Sequence, residues 1–355
     1  MAQEIPAEMR RWQIASPGAF IKDLRLVTVP APAASALKPD QVLVRVVAAG
    51  INPADYKTVE LGLVAKAILP FPKPPGLDYS GRAVAVGAAI NDVKPGDAVF
   101  GGIHPTSAQG TLSEFIVVGR DSVVAFSPFS VGSADAEDND LLKAGGVGTA
   151  ALTAYQSIVP YVKAGDEVFI NGGSGGTGTF GIQIAKAVGC RVTVSCSTAK
   201  AELCRSLGAD NVIDYRAADV VATLRSRGHV FALVVDNVGN SPPNLYKAAS
   251  DFLLPDGRFK LVGAAISLAQ ARILLNLAPS MLLPVFLGGA RHKFEVFWPK
   301  NSHDDLVRIA AWMAEGKVCT VVDSTFEFED AVKAYEKLKE GSATGKILVR
   351  VAKKA

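Results

Sequence analysis

Apolar residues fall into two textures along the chain. Over residues 1–130 they form short β-rich runs punctuated by Gly and Pro: QVLVRVVAAG at 41–50, GRAVAVG at 81–87, DAVFGG at 97–102 and LSEFIVV at 112–118. Runs of that length closed by turn residues predict a small antiparallel β domain. From residue 166 the runs alternate with amphipathic stretches. The order is DEVFIN, a helix after Gly176, RVTVS, a helix over 199–207, NVID, a helix over 217–226, FALVVD, a helix over 243–250, and GRFKLVG. Nearly all-apolar strands separated by helices predict a parallel sheet buried on both faces. Right-handed crossovers make it a doubly wound α/β domain. Beyond it come FEVFW at 294–298, a helix over 302–315, VCTVVDSTFEF, a helix from Asp330 to Leu338, and KILVRV at 346–351. This β-rich tail is expected to return to the first domain. The predicted division is 1–133 with 318–355 against 134–317.

Composition narrows the function class. A chain of 355 residues exceeds what one core usually fills, in keeping with two domains. It is 49% hydrophobic, which excludes a disordered chain. Its 37 basic and 34 acidic side chains are interspersed, leaving +3 and no basic block, so no nucleic-acid partner is expected. Cys190, Cys196, Cys204 and Cys319 are too scattered for a metal knuckle and too few for a disulfide framework, which suggests free thiols in a reducing, cytoplasmic setting. Glu4 and Glu8 precede any apolar run, unlike a secretory signal. The most apolar window, 266–290, is interrupted by Arg272, Asn276, Pro279 and Pro284, so no integral membrane segment is predicted.

The strongest local signal is DEVFINGGSGGTGTFGIQIAKAVG at 166–189, where Gly173, Gly175 and Gly178 are spaced Gly-x-Gly-x-x-Gly between a strand and a helix. With a second strand fifteen residues on, that context marks a dinucleotide site. Small residues there, Gly173 to Gly178 with Ser174, Gly176 and Thr177 between, let backbone N–H groups approach a pyrophosphate at a helix N-terminus. At the end of the second strand an NAD enzyme places an acid on the ribose 2′-hydroxyl. This chain reads Cys196, Ser197, Thr198 and Lys200, with no carboxylate before Glu202. Hydroxyls and a lysine suit a 2′-phosphate, which favours NADP(H).

With that turn behind a β domain, the sequence resembles the medium-chain dehydrogenase/reductases, in their zeta-crystallin-like quinone oxidoreductase and enoyl reductase branch. The resemblance rests on AAGINPADYK at 48–57, PPGLDYSGRAVAVG at 74–87, GDAVFG at 96–101, GTLSEF at 110–115, ALTAYQSI at 151–158, GGSGGTG at 172–178, LGADNVIDYR at 207–216, VVDNVG at 234–239 and ATGKILVRV at 343–351. It implies a GroES-like catalytic domain built from both chain ends, a Rossmann NADP-binding domain, and an active site in the cleft between them. Zinc-bearing relatives carry a Cys where this chain has Asn52 and a His where it reads Gly76-Leu77-Asp78. The structural-zinc cysteines are missing too, and His104, His229, His292 and His303 are scattered, so no metal is expected.

Without a Lewis acid, hydride addition to an activated C=C or a quinone is better supported than alcohol oxidation. The resemblance puts Asn52 and Asp55, of an Asn-Pro-x-Asp motif, near the nicotinamide, and Lys57 completes its longer Asn-Pro-x-Asp-x-Lys form. Tyr56 or Lys57 is a candidate proton donor or carbonyl-polarising group, with solvent as the other source. As neighbours, the two should not both face substrate. Asn52 also reads as a turn residue, and Asp55 as a helix cap. By resemblance Thr153 lies by the nicotinamide, Tyr215 near the adenosine phosphate, and Asn237, Val238 and Gly263 at strand ends by the cofactor; Lys346 either approaches it or is an edge-strand lysine. The expected function is NADPH-dependent reduction of quinones or α,β-unsaturated carbonyls as small-molecule substrates. A trans-acting enoyl reductase serving a polyketide synthase is the alternative. It would dock an acyl carrier protein, with Arg291, His292 and Lys293 as a weak basic patch. A non-enzymatic NADP-binding protein is the reading from another class. A homodimer is the expected assembly.

Overall fold

The structure is a computed structural model that describes residues 5–127, 134–239, 242, 245–262, 283, 287, 289 and 292–353. Gly263, Arg291 and most of the apolar segment 264–290 lie outside the described residues. Contacts divide the chain into Met1–Leu152 with Lys300–Ala355, and Thr153–Pro299.

In the first unit β1 (Glu8–Gln13) and β2 (Arg25–Pro30) form an antiparallel pair. A second sheet is built on the ten-residue β3 (Gln41–Gly50). One side of β3 pairs with β4 (Asp78–Val86), which continues to β5 (Ala98–Gly102). The other side takes β6 (Phe115–Gly119) along Gln41–Arg45. The short β7 (Val124–Ala125) closes on β5. Alternating residues such as Val42, Val44 and Val46 enter a core with Phe20, Ile116 and Tyr335.

Among the described residues the second unit holds six parallel strands: β8 (Glu167–Asn171), β9 (Arg191–Cys196), β10 (Asn211–Asp214), β11 (Phe231–Asp236), β12 (Leu253–Leu261) and β13 (Lys293–Val296). Their order is β10-β9-β8-β11-β12-β13, the doubly wound arrangement expected of a dinucleotide fold. Both faces are apolar because both are covered. Phe169 and Val234 enter one layer, whereas their neighbours Val168, Ile170, Leu233 and Val235 enter the other.

The chain then returns. β14 (Val322–Glu327) and β15 (Lys346–Arg350) join the first sheet, with Leu348 opposite Gly50. β15 lies between β14 and β3, so Lys346 is not on an edge strand and is 3% exposed.

The contact division differs from the expected boundaries. Helix Ala134–Ala144 packs on the first sheet, where the Ser80 hydroxyl donates to Leu141 O and Arg350 pairs with Asp138 at 2.7 Å. Helix His303–Ala314 does the same through Asn301 Nδ2 on Ser122 Oγ (2.7 Å) and His303 Nδ1 by Val123 O (2.8 Å). The sequence pattern predicts the helix over 302–315 and not the one over 134–144, and the sheet each one covers depends on contacts remote in sequence. Among the described residues no helix is long and apolar enough to cross a membrane.

Candidate active site

At the carboxyl ends of β8, β9 and β11 the apolar strands finish in buried polar residues. Ser195 Oγ donates to Asn171 Oδ1 (2.5 Å), and Asn171 Nδ2 donates to Asp236 Oδ1 (2.8 Å). The same Asp236 oxygen accepts the N–H groups of Val238 and Gly239, each at 3.0 Å. Gly172 N–H donates to Ser195 Oγ (3.0 Å), and Val238 sits over Gly172. The network therefore fixes two turns at once, the glycine turn and the one carrying Asn237 and Val238.

A Cβ on Gly173 would come within 2.8 Å of Val194, and one on Gly178 within 2.1 Å of Gly172 O, whereas one on Gly175 would meet Gly172 O only at 3.7 Å, an ordinary contact. The helix that follows, Gly176–Val188, has Gly175 at its N-cap and no side chain capping it. Its first-turn N–H groups are those an anion would take. Ser174 is buried at the turn and Thr177 partly buried. Asn237 Oδ1 is buried without a partner among the described residues. A pinched glycine cradle, an uncapped helix start and an orphaned amide oxygen fit a dinucleotide.

The residues expected at the nucleotide end gather between β9 and β10. Tyr215 N–H donates to Cys196 O (3.1 Å) and Lys200 N–H to Ser197 O (2.9 Å), which gathers Ser197, Lys200 and Tyr215. Tyr215 is exposed. The expectation of no nearby carboxylate needs correction. Asp214, opposite Cys196 in register, accepts from Thr198 Oγ1 at 2.5 Å and from Arg216 N–H at 2.9 Å. The Thr198 hydroxyl and Arg216 amide hold its carboxyl below the usual range. The acid comes from the neighbouring strand, which a reading along β9 alone misses. Thr153 is buried in helix Gly148–Ile158.

In the first unit the Asn-Pro-x-Asp segment opens helix Pro53–Lys57, with Pro53 at the first helical position. Asp55 Oδ2 accepts the Asn52 N–H (2.9 Å), as a helix cap should, and also the Tyr335 hydroxyl (2.9 Å). Asp55 Oδ1 is buried without a partner among the described residues. Burial raises the Asp55 pKa to about 7, against the two donors, which act to lower it. The Asn52 amide is fully engaged: Nδ2 donates to Asp78 Oδ2 (3.0 Å) and Gly50 O (3.3 Å), while Oδ1 accepts from Lys346 Nζ (2.6 Å). Lys346 Nζ also meets Asp78 Oδ2 (2.9 Å) and Ile51 O (3.3 Å), and Asp78 Oδ1 accepts the Thr149 N–H (2.5 Å).

Tyr56 and Lys57 diverge, as adjacent helical residues must. The Tyr56 ring packs edge-on to Phe20 (6.2 Å between centroids), with Lys339 Nζ 4.7 Å from its centre. Burial, Glu60 and Asp55 raise its pKa. Lys57 is half-buried, and its pKa is lowered by burial. Among the described residues it has no hydrogen bond or ion pair. Sequence reasoning passed over Lys73, a buried lysine whose Nζ donates to the carbonyls of Ser107 and Gln109, and whose pKa burial lowers to about 8. It also passed over Tyr335, Asn171, Ser195 and Asp236. Polar residues closing apolar strands were a legible signal for the last three. The basic-patch reading fails at His292, which is 7% exposed, packs on Tyr246, and has its pKa lowered to about 4 by burial.

Comparisons with known proteins agree with this architecture. Residues 38–128 match the family described as Alcohol dehydrogenase GroES-like domain, and residues 207–349 the family described as Zinc-binding dehydrogenase. The chain is 43% identical to the trans-enoyl reductase pgmF of Aspergillus terreus, over 99% of this chain and 98% of that one. It is 29% identical to the 2-methylene-furan-3-one reductase of Solanum lycopersicum, over 97% and 80%. The quinone oxidoreductase structure from Coxiella burnetii superposes with a TM-score of 0.78 at 27% identity, covering 97% of this chain and all of that one. The family description mentions zinc, but among the described residues no group of three or more His, Cys, Asp or Glu could hold a metal ion. Asn52 and Asp78 offer oxygen, and a lysine ammonium stands between them, a donor set that does not fit zinc. The chain belongs to the medium-chain dehydrogenase/reductase family, in its quinone oxidoreductase and enoyl reductase branch, and is a nicotinamide-dependent oxidoreductase.

Proposed function

We propose that the protein reduces the C=C bond of an α,β-unsaturated carbonyl, or a quinone, with NADPH as the hydride source. Full-length similarity to a trans-enoyl reductase and a furanone reductase supports the reaction class. The observation that carries the assignment of roles is the contrast at helix Pro53–Lys57. Asn52 and Asp55 are committed to internal hydrogen bonds, and Lys57 alone presents a half-buried ammonium with no partner among the described residues.

NADPH, when bound, would supply the hydride for the reduction. The glycine turn and the start of helix Gly176–Val188 would hold the pyrophosphate, and Asn237 Oδ1 would be free to accept from the cofactor. Ser197, Lys200 and Tyr215 would take the 2′-phosphate, with Asp214 kept occupied by Thr198 and Arg216. Lys57 Nζ donates to the substrate carbonyl, or gives its proton where negative charge develops. Burial makes that ammonium a stronger acid, which suits the task.

Separate titrations with NADPH and NADH, followed by tryptophan fluorescence, test the cofactor. Tight NADPH with weak NADH is expected, and binding of neither would remove the reductase reading. Small enones and quinones then test the reaction.

The 43% identity to pgmF favours one narrower form, a trans-acting enoyl reductase working on carrier-bound thioesters. Faster turnover of a carrier-bound enoyl thioester than of the free thioester would select it.

A further inference from the structure

Three oxygens converge on Lys346 Nζ: Asn52 Oδ1 at 2.6 Å, Asp78 Oδ2 at 2.9 Å and Ile51 O at 3.3 Å. They come from two separate parts of the chain, Ile51–Asn52 and Asp78, and the ammonium is withdrawn from solvent. An ammonium has three N–H donors, so these three acceptors match its capacity. The surroundings allow no slack. A Cβ on Gly148 would fall 2.6 Å from Asp78 Oδ1, and one on Gly146 would fall 3.4 Å from Lys346 Cβ. Asp78 has its other oxygen on Thr149 N–H, at the start of helix Gly148–Ile158. Asn52, at the other end of the cluster, caps helix Pro53–Lys57.

A family described as zinc-binding here has, in place of a metal, a side-chain cation with oxygen partners. We propose that Lys346 is the fixed cation of this site, a positioning residue whose ammonium holds Asn52 and Asp78 and thereby sets the helix that presents Lys57, and that it does not contact the cofactor. The assignment rests on the reductase reading for its turnover readout.

Two variants test it. Lys346→Met fills the space without charge, and Lys346→Ala leaves a void facing the same three oxygens. Both are expected to bind NADPH within about twofold of wild type and to lose at least about tenfold in turnover at saturating NADPH and enone. Ethylammonium ion should restore turnover of the alanine variant saturably and leave the methionine variant unchanged. Tetramethylammonium, with no N–H to donate, should rescue neither.

Loss of NADPH affinity in step with turnover would make Lys346 a cofactor contact and overturn the proposal. Unchanged turnover, or an alanine variant deaf to ethylammonium, would also overturn it. If the alanine variant does not fold, refolding with and without ethylammonium gives the same decision: recovery supports the cation site and no recovery removes it. Should the wild type itself turn over no acceptor, the reductase reading fails separately. The ethylammonium dependence of the alanine variant's thermal midpoint still reads the cation site.

Discussion

The two units each hold a buried polar network at strand ends, but the networks are of opposite kinds. In the doubly wound unit, Ser195, Asn171 and Asp236 lie on neighbouring strands in register, and Asp236 is held by an amide side chain and two backbone N–H groups. In the β-rich unit, Lys346, Asp78, Asn52 and Asp55 bring one cation and two carboxyls together from positions as far as 294 residues apart. The first network shapes backbone turns for a ligand. The second compensates charge: Lys346 pairs with Asp78, while Asp55 is driven toward its neutral form with a pKa of about 7. Backbone-built sites should therefore be sensitive to shape, and charge-built sites to pH and to the sign of a replacement.

The largest effect expected is at the glycine turn. Gly178→Ala drives a Cβ to 2.1 Å from Gly172 O, a backbone atom that cannot step aside. NADPH affinity should fall at least about a hundredfold, and stability by several kcal/mol, at about the scale of overpacking. Gly175→Ala, whose Cβ would make only an ordinary 3.7 Å contact with Gly172 O, should change affinity little. Equal effects at the two positions, in calorimetric titrations, would break the shape argument.

Next is Lys57→Met, which removes the proposed proton donor. Turnover should drop by about 10²–10⁴-fold with NADPH affinity unchanged. In the wild type, turnover should decline as pH rises through the lowered Lys57 pKa, because the donor must be protonated. That alkaline limb should vanish in the variant. Its survival would assign the proton to solvent or another group.

Asp55 sharpens the charge side of the comparison. Its folded pKa, about 7, lies above the ordinary carboxylate value of 3.8. A raised carboxyl contributes stability that is complete below the unfolded pKa and is lost as pH rises through the folded one. Wild-type stability should therefore fall between about pH 4 and pH 7 relative to Asp55→Asn, by a few kcal/mol at most. Denaturant unfolding of both proteins across that range measures it. Parallel curves would mean the carboxyl ionises freely in the fold.

The contrast also explains what was legible in the sequence. β8 to β12 stand where their apolar runs put them, and the return of KILVRV to the first sheet follows from its texture. The glycine turn was readable because strand, turn and helix are contiguous. The charge cluster was not. Lys346 looks like any lysine opening a strand, and Asp78 is one polar residue before Tyr79, until β15 and β4 both lie beside β3 and bring them to Asn52. Tyr335 belongs to the same case, reaching Asp55 from 280 residues away. Asp214 shows a milder form of it: the acid missing from β9 comes in from β10, one strand over.

A smaller effect is expected at Lys200. Lys200→Ala should weaken NADPH by about tenfold, one charge-assisted contact, and leave NADH unchanged. Loss of both cofactors together would mean the lysine supports the loop rather than the phosphate.

The smallest expected effect decides between adjacent residues. Tyr56 and Lys57 share a helix too short to offer both the same outlook, and the Tyr56 ring is turned to Phe20 with Lys339 against it. Glu60, ion-paired to Lys339, ties that corner together. A phenol in this setting anchors the helix by its ring, and burial raises the pKa of its hydroxyl while it lowers that of the neighbouring ammonium. Tyr56→Phe keeps the ring and should hold turnover within about twofold, since packing is preserved and only the hydroxyl goes. A drop as deep as that of Lys57→Met, at unchanged thermal stability, would transfer the proton to Tyr56 and make Lys57 the residue that anchors.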